Sequence, residues 1–352
     1  MTDDTAAETT ARRSITLRLY DALGVHPALG GVYLAIAWLV LFVGAEWISG
    51  RLLGPAETDE GYFIELLIAG FLGVLLLYIT AAYATLDRRT KLTIAQLKLV
   101  PHMPRDKLAD LELAAGVYPR ASFWTFCAVG VLLSMAAPYL EVPRSMIEYA
   151  PYDISRWSPE TLFHRTITPF IGLWLSRLVY AIIVESMRLR RFALSIERID
   201  LVNFGNLMPF AAQGLTNAAI AAGFASFFAL FLIDVRYSFL VIVIVIYMAI
   251  GAGLGLLLPL TGVRARIRKQ KEEEIAWCRY HLNEARSQLK GGSGPTSGKV
   301  ADLISYLRYV ESVPDWPLSG GAILRFGFYL LIPVLSWSGG ALVERAINAV
   351  LD

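Results

Sequence analysis

Long apolar runs alternate with short polar segments along most of the chain. Seven of these runs are candidate membrane helices: residues 28–48, 62–86, 121–140, 167–184, 207–233, 238–260 and 326–343. A helix needs about 20 apolar residues to cross about 30 Å of hydrocarbon. The pattern therefore predicts an all-α, polytopic membrane helix bundle of about seven spans.

The last apolar run is the weakest of the seven. Pro333, Gly339 and Gly340 interrupt it, so this segment could be a re-entrant or interfacial helix instead of a span. The predicted domains are a cytoplasmic tail with an interfacial helix (1–27), six spans (28–260), a cytoplasmic helical hairpin (261–320) and the final membrane or re-entrant helix (321–352).

A charged segment with a heptad pattern follows the sixth run. Its apolar residues recur at spacings of three and four, namely Ile275, Cys278, Leu282, Ala285 and Leu289. After a glycine-rich turn at 291–298, the spacing repeats in Val300, Leu303, Leu307 and Val310. The pattern predicts an antiparallel helical hairpin with coiled-coil packing. Such a hairpin suits self-association as a homo-oligomer or recruitment of a cytoplasmic protein partner.

Composition supports a membrane protein and argues against other classes. Of the 352 residues, 56% are hydrophobic and 18% are charged, whereas soluble domains are about 25% charged. The formal net charge of +2 is too small to indicate a nucleic-acid partner.

The distribution of lysine and arginine predicts the orientation. With seven spans and the N-terminus inside, the cytoplasmic segments carry 24 of these residues and the opposite side carries 6. Cytoplasmic loops of membrane proteins show this excess. We therefore expect a multi-pass protein of the cell membrane, with its N-terminus in the cytoplasm and the lipid bilayer as its first partner.

Two motifs in the last third of the chain add a resemblance. The run Leu258, Pro259, Leu260 leads into TGVRARIRKQKEEE, and VESVPDWP precedes the last apolar run. In these motifs the chain resembles prokaryotic multi-pass membrane proteins of uncharacterised activity that carry a cytoplasmic helical hairpin before the last apolar segment. The resemblance implies the architecture and no particular activity.

The sequence lacks the motifs of the common enzyme classes. The four histidines, His26, His102, His164 and His281, lie outside the span interiors and are not spaced as metal ligands. The glycine-rich turn lacks the lysine of a phosphate-binding loop. We therefore expect no enzymatic activity, no metal site and no cofactor.

Arg177 is the one charged residue near the centre of a predicted span. A guanidinium in hydrocarbon needs an acid, water or another polar partner. The candidate acids are Glu46 and Glu65, which lie toward the outer ends of their spans. Arg177 could make a structural contact between helices, or it could belong to an ion or substrate path.

Amide side chains form a stripe along the fifth run and its cytoplasmic approach, namely Asn203, Asn206, Gln213 and Asn217. Toward the outside the same face continues with Phe224 and Phe227. This face could line a wet vestibule closed by an aromatic constriction. The alternative is that the amides hydrogen bond between packed helices.

Glycines in the sixth run permit close backbone approach. Gly251 and Gly255 form a GxxxG pair of the kind found where two membrane helices cross tightly. Helix packing is the main interpretation, and a hinge or a pore lining is the alternative.

Two functions stay open from the sequence. Arg177 and the amide stripe favour a channel or transport-like pore. The predicted hairpin favours a membrane-anchored signalling or scaffold protein that acts through its cytoplasmic side.

Overall fold

The structure is a computed structural model of the 352-residue chain. It describes residues 27–48, 59–101, 103–141, 159–202, 204–229, 238–290, 297–318, 320–332, 335 and 339. The predicted interfacial helix, in the tail before residue 27, lies outside these residues. The described part is almost entirely helical and contains no strand.

Nine α-helices make up most of the described residues. They are α1 (Pro27–Ile48), α2 (Asp59–Lys98), α3 (Arg105–Ala114), α4 (Arg120–Glu141), α5 (Pro159–Leu194), α6 (Met208–Ala229), α7 (Ser238–Lys290), α8 (Ser297–Ser312) and α9 (Gly320–Ile332). A short 3-10 turn, Phe204–Leu207, leads into α6.

Three of these helices are long and apolar enough to cross a membrane. They are α2 over Ala69–Lys98, α5 over Pro169–Leu194 and α7 over Ala249–Gln288. Shorter apolar stretches occur at Leu29–Ala45, Arg120–Met135 and Gly320–Ile332. The all-α, membrane-compatible fold is therefore confirmed, and the number of seven spans stays a prediction.

Helix α7 joins an apolar half to a charged half without interruption. Its 53 residues correspond to about 80 Å at 1.5 Å per residue. Apolar residues dominate as far as Leu260, and charged residues begin at Arg264. One end of the bundle contains the end of α2, helix α3 and the start of the charged half of α7. We call it the polar end.

Glycine allows α6 and α7 to cross closely. A Cβ atom on Gly214 would lie 2.5 Å from the Leu256 carbonyl oxygen, and one on Gly255 would lie 3.1 Å from Asn217 Cβ. Gly255 therefore has the packing position expected of it. Gly251 differs, because a Cβ there would meet nothing within 4 Å.

A buried core at the polar end holds the charged half of α7 against the bundle. Leu97, Leu189, Phe210, Ile267 and Val310 are fully buried within it. These residues belong to α2, α5, α6, α7 and α8, so five helices share one apolar cluster. Because residues 291–296 lie outside the described part, the connection of α7 to α8 as a hairpin stays a prediction.

Candidate functional site

A cleft of about 1170 Å³ opens at the polar end. The turn after α2, the segment between α5 and α6, the charged half of α7 and helix α8 form its walls. Its lining residues are Val100, Pro101, Met103, Glu197, Arg198, Ile199, Asp200, Asn206, Leu207, Gln270, Glu273, Glu274, Trp277, Lys299, Asp302, Leu303 and Tyr306. We call this feature the polar-end cleft.

Lys271 fixes the α7 wall to the end of α8. Its ammonium donates hydrogen bonds to the Val313 carbonyl oxygen at 2.7 Å and to Asp315 Oδ1 at 3.1 Å. Carbonyl groups at a helix C-terminus carry partial negative charge, so a cation is favourable there. The α7 and α8 walls are thereby held together at one end.

Two further hydrogen bonds tie these helices to the segment after α5. The Tyr309 hydroxyl on α8 donates to the Leu201 carbonyl oxygen at 3.1 Å. The Arg266 guanidinium on α7 donates to the Glu197 carbonyl oxygen. Three walls of the cleft are therefore joined through side chains that satisfy backbone carbonyls.

Acidic side chains outnumber basic ones in the cleft. Its carboxylates belong to Glu197, Asp200, Glu273, Glu274 and Asp302. The cationic side chains are Arg198 and Lys299, so the lining has a formal charge of −3. Such a concave, acidic lining attracts cations and repels anions.

Tyr306 and Trp277 add aromatic surface beside the carboxylates. The Tyr306 hydroxyl donates to Glu274 at 3.2 Å. Burial and the negative charge of Glu274 raise the pKa of Tyr306 above its ordinary value of 10, which keeps the hydroxyl protonated as a donor. Trp277 is 48% exposed, and its ring face can contact an ammonium or guanidinium group.

The structure distributes the predicted amide stripe over different environments. Asn206 lines the polar-end cleft. Gln213 and Asn217 are buried inside the helix bundle, with exposed fractions of 0% and 1%. Asn203 lies outside the described residues.

The two buried amides belong to a hydrogen-bonded chain across four helices. Thr93 Oγ1 on α2 donates to Gln213 Oε1 at 3.2 Å, and Gln213 Nε2 donates to Asn217 Oδ1 at 3.3 Å. Asn217 Nδ2 then donates to Ser186 Oγ on α5 at 3.0 Å and to the Gly255 carbonyl oxygen on α7 at 3.3 Å. This amide network supports the interpretation in which the amides connect packed helices.

The aromatic half of the stripe packs against α2. Phe224 is 3% exposed. The Phe227 ring is half-buried, with its centroid 5.0 Å from that of Tyr78 and 6.0 Å from that of Phe71. Tyr78 also donates its hydroxyl to the Ile220 carbonyl oxygen at 2.6 Å. Phe227 thus contributes to an aromatic contact between α2 and α6.

Arg177 contacts aromatic rings on α4 and α5. Its guanidinium carbon lies 4.7 Å from the ring centroid of Trp174 and 5.9 Å from that of Phe123. Glu46 and Glu65 belong to α1 and α2, but their side chains lie outside the described part of the structure. Their pairing with Arg177 therefore stays a prediction.

Glu185 and Arg188 form a buried ion pair on α5 that the sequence pattern did not predict. Glu185, 2% exposed, accepts hydrogen bonds from the Gly116 amide at 3.1 Å and from Arg188 at 2.8 Å. Arg188 also donates to the carbonyl oxygens of Ala114 at 2.6 Å and Val117 at 2.5 Å. The pair therefore holds the turn after α3 against α5.

A sequence signal for this pair exists but is weak. Glu185 and Arg188 are three residues apart at the end of an apolar run, a spacing that places them on one helical face. Gly116 has φ +72°, a conformation that glycine adopts readily and most other residues avoid. Nothing in the spacing reveals that this distant turn faces Glu185.

Comparison with known proteins adds no assignment. No family model, curated protein or solved structure matches the chain. Within the described residues, no cluster of three or more His, Cys, Asp or Glu side chains could hold a metal ion.

Proposed function

We infer that this chain is a multi-pass protein of the cell membrane that acts as a signalling or scaffold protein through its polar end. The excess of Lys and Arg in the segments predicted to be inside supports a cytoplasmic position for that end and for the N-terminus. The acidic polar-end cleft is the observation that carries the inference. In this proposal α7 and α8 form the cytoplasmic hairpin that bounds it.

The ligand of the cleft is a basic segment of a partner protein. Small-molecule sites have volumes of about 300–1,000 Å³ and are mostly apolar, whereas this cleft is larger and carries a formal charge of −3. Lysine and arginine side chains match its carboxylates, and Trp277 offers a ring face to the same cations. Size, charge and aromatic surface thus favour the same class of partner.

A channel or transport-like pore is the second candidate. It is favoured by the amide side chains of Asn206 in the cleft and of Gln213 and Asn217 inside the bundle. We place it second because the amide network supports helix packing: Gln213 and Asn217 hydrogen bond with neighbouring helices.

Binding of a deca-lysine peptide tests the first candidate. The full chain is reconstituted in zwitterionic lipid nanodiscs, and binding is followed by isothermal titration calorimetry. The paired variant Glu273→Gln/Asp302→Asn removes two carboxylates of the cleft. The matched control, Glu272→Gln/Glu284→Gln, removes two carboxylates of α7 that do not line it.

We expect saturable binding to the parent and to the control, and an affinity about tenfold or more lower for the cleft variant. Binding should weaken as salt is added, because exposed charges are screened. A deca-glutamate peptide should not bind. Equal losses in both paired variants, or no binding to the parent, would refute the proposal.

A further inference from the structure

A second cavity lies between α5, α6 and α7 and has a different chemistry. Its volume is about 160 Å³, similar to the apolar cavities of about 150 Å³ that can hold benzene in other proteins. Its walls include Leu178, Ile182, Ile220 and Phe224. Its lining contains no charged residue, and Ser186 and Asn217 are its only polar side chains among the described residues. We call it the apolar crevice.

The crevice lies where a membrane would surround it. Two of its walls, α5 and α7, belong to the helices that are long and apolar enough to cross a bilayer. Ile183, Ile250 and Leu254 line it with exposed fractions of 38%, 56% and 60%. These exposed side chains place the opening toward lipid.

Glycine keeps part of the crevice empty. A Cβ atom on Gly251 would meet nothing within 4 Å, although this residue lines the crevice. Along α7 the lining extends from Ile250 to Leu258, which is about 12 Å at 1.5 Å per residue. An elongated space of this kind suits a hydrocarbon chain better than a round ligand.

The polar group at one end of the crevice is Ser186. Its Oγ accepts the hydrogen bond from Asn217, and in the described part of the chain its own hydroxyl hydrogen is bonded to no acceptor. Glu185 and Arg188 flank Ser186 in sequence at the polar end. Ser186 is fully buried, so a lipid ester group can reach it only when the acyl chain enters between the helices.

We propose that the apolar crevice binds an acyl chain of a bilayer phospholipid, with the Ser186 hydroxyl donating to an ester carbonyl of the same lipid. The site is separate from the polar-end cleft and does not depend on its ligand. It differs from general lipid contact because a defined chain enters between three helices.

Two glycines on α7 provide a matched test. Gly251→Leu fills the crevice, whereas Gly253→Leu makes the same change at a residue that does not line it and also has no contact within 4 Å of a Cβ. Each protein is delipidated in detergent and titrated with palmitoyl-oleoyl-phosphatidylglycerol. Native mass spectrometry reports bound lipid, and thermal unfolding reports stability.

The parent and Gly253→Leu should each bind one lipid saturably and unfold at a higher temperature with it. Gly251→Leu should bind at least about tenfold more weakly, while being no less stable than the parent without lipid. Ser186→Ala should weaken binding about threefold through loss of one hydrogen bond. Glycerophosphoglycerol, which has the headgroup without chains, should not bind.

Three results would overturn the proposal. One is equal lipid binding by Gly251→Leu and the parent. Another is non-saturable binding shared by all variants, which would indicate annular lipid only. The third is stabilisation of the parent by decane but not by phospholipid, which would indicate a small apolar guest instead.

Discussion

Glu185 and Arg188 form a 2.8 Å ion pair on one turn of α5 while the carboxylate is only 2% exposed. A buried charge of this kind is tolerated when an opposite charge and hydrogen-bond donors surround it. Here the donors are Arg188 and the Gly116 amide. The ion pair therefore connects a membrane-length helix to the turn that follows α3.

Removing the cation alone should be more damaging than removing both charges. Arg188→Met leaves Glu185 buried without its cation, which should lower the free energy of unfolding by about 3 kcal/mol or more. Glu185→Gln/Arg188→Met should be less destabilised than that single variant. Denaturation in detergent measures the free energy of unfolding of both variants. Arg268→Met, in an exposed pair with Glu272, is the control expected to change it by less than about 1 kcal/mol. A double variant with a lower free energy of unfolding than Arg188→Met would contradict this account.

A methyl group should be tolerated very differently at two glycines. Gly214→Ala would place Cβ 2.5 Å from the Leu256 carbonyl oxygen, so α6 and α7 must separate. Overpacking of this type costs about 1–3 kcal/mol. Gly253→Ala meets nothing within 4 Å and should leave the unfolding temperature close to that of the parent. Similar unfolding temperatures for the two variants would show that the crossing is looser than described.

Hydropathy identified most helices but not their ends. The second apolar run stops at Leu86, yet α2 continues to Lys98, because a helix can leave hydrocarbon while its polar face meets water or other helices. Likewise α7 continues through Leu260 into its charged half. An apolar run reports where lipid or core surrounds the chain, and the backbone hydrogen bonds of a helix do not need that environment.

The candidate sites could be predicted only in part, because their contacts join distant positions. The polar character of Gln213 and Asn217 was evident, but their bonds to Thr93 and Ser186 connect residues 120 and 31 positions apart. The polar-end cleft likewise requires α8 to lie near the segment after α5, as Tyr309 and Leu201 show. Periodicity places residues on a helix face, and it does not identify the helix opposite.

Stability in alkaline solution should depend on Tyr306. Its pKa is raised by burial and by Glu274, so the folded state holds the phenolic proton more tightly than the unfolded state. The protonated Tyr306 side chain therefore contributes to the free energy of unfolding. This contribution is complete below pH 10 and is lost as pH rises through the higher pKa of the folded protein. Tyr306→Phe should therefore lose less stability than the parent between about pH 9 and 11, as measured by chemical denaturation at each pH. Identical slopes for both proteins would assign the alkaline loss to other groups.

Phe227 separates the packing and pore interpretations of α6. Its ring lies against Tyr78 and Phe71, so Phe227→Asn removes an aromatic contact and puts an amide in an apolar setting, at a cost of about 2 kcal/mol or more. If α6 is a packing helix, liposomes containing the folded variant should show the parent's ion flux and a lower unfolding temperature. Phe227→Leu removes the ring but keeps the wall apolar, so this control should keep the parent's ion flux and lose less stability than Phe227→Asn. Because an apolar constriction conducts once it becomes wet, a clear rise in flux in Phe227→Asn alone would instead favour the pore.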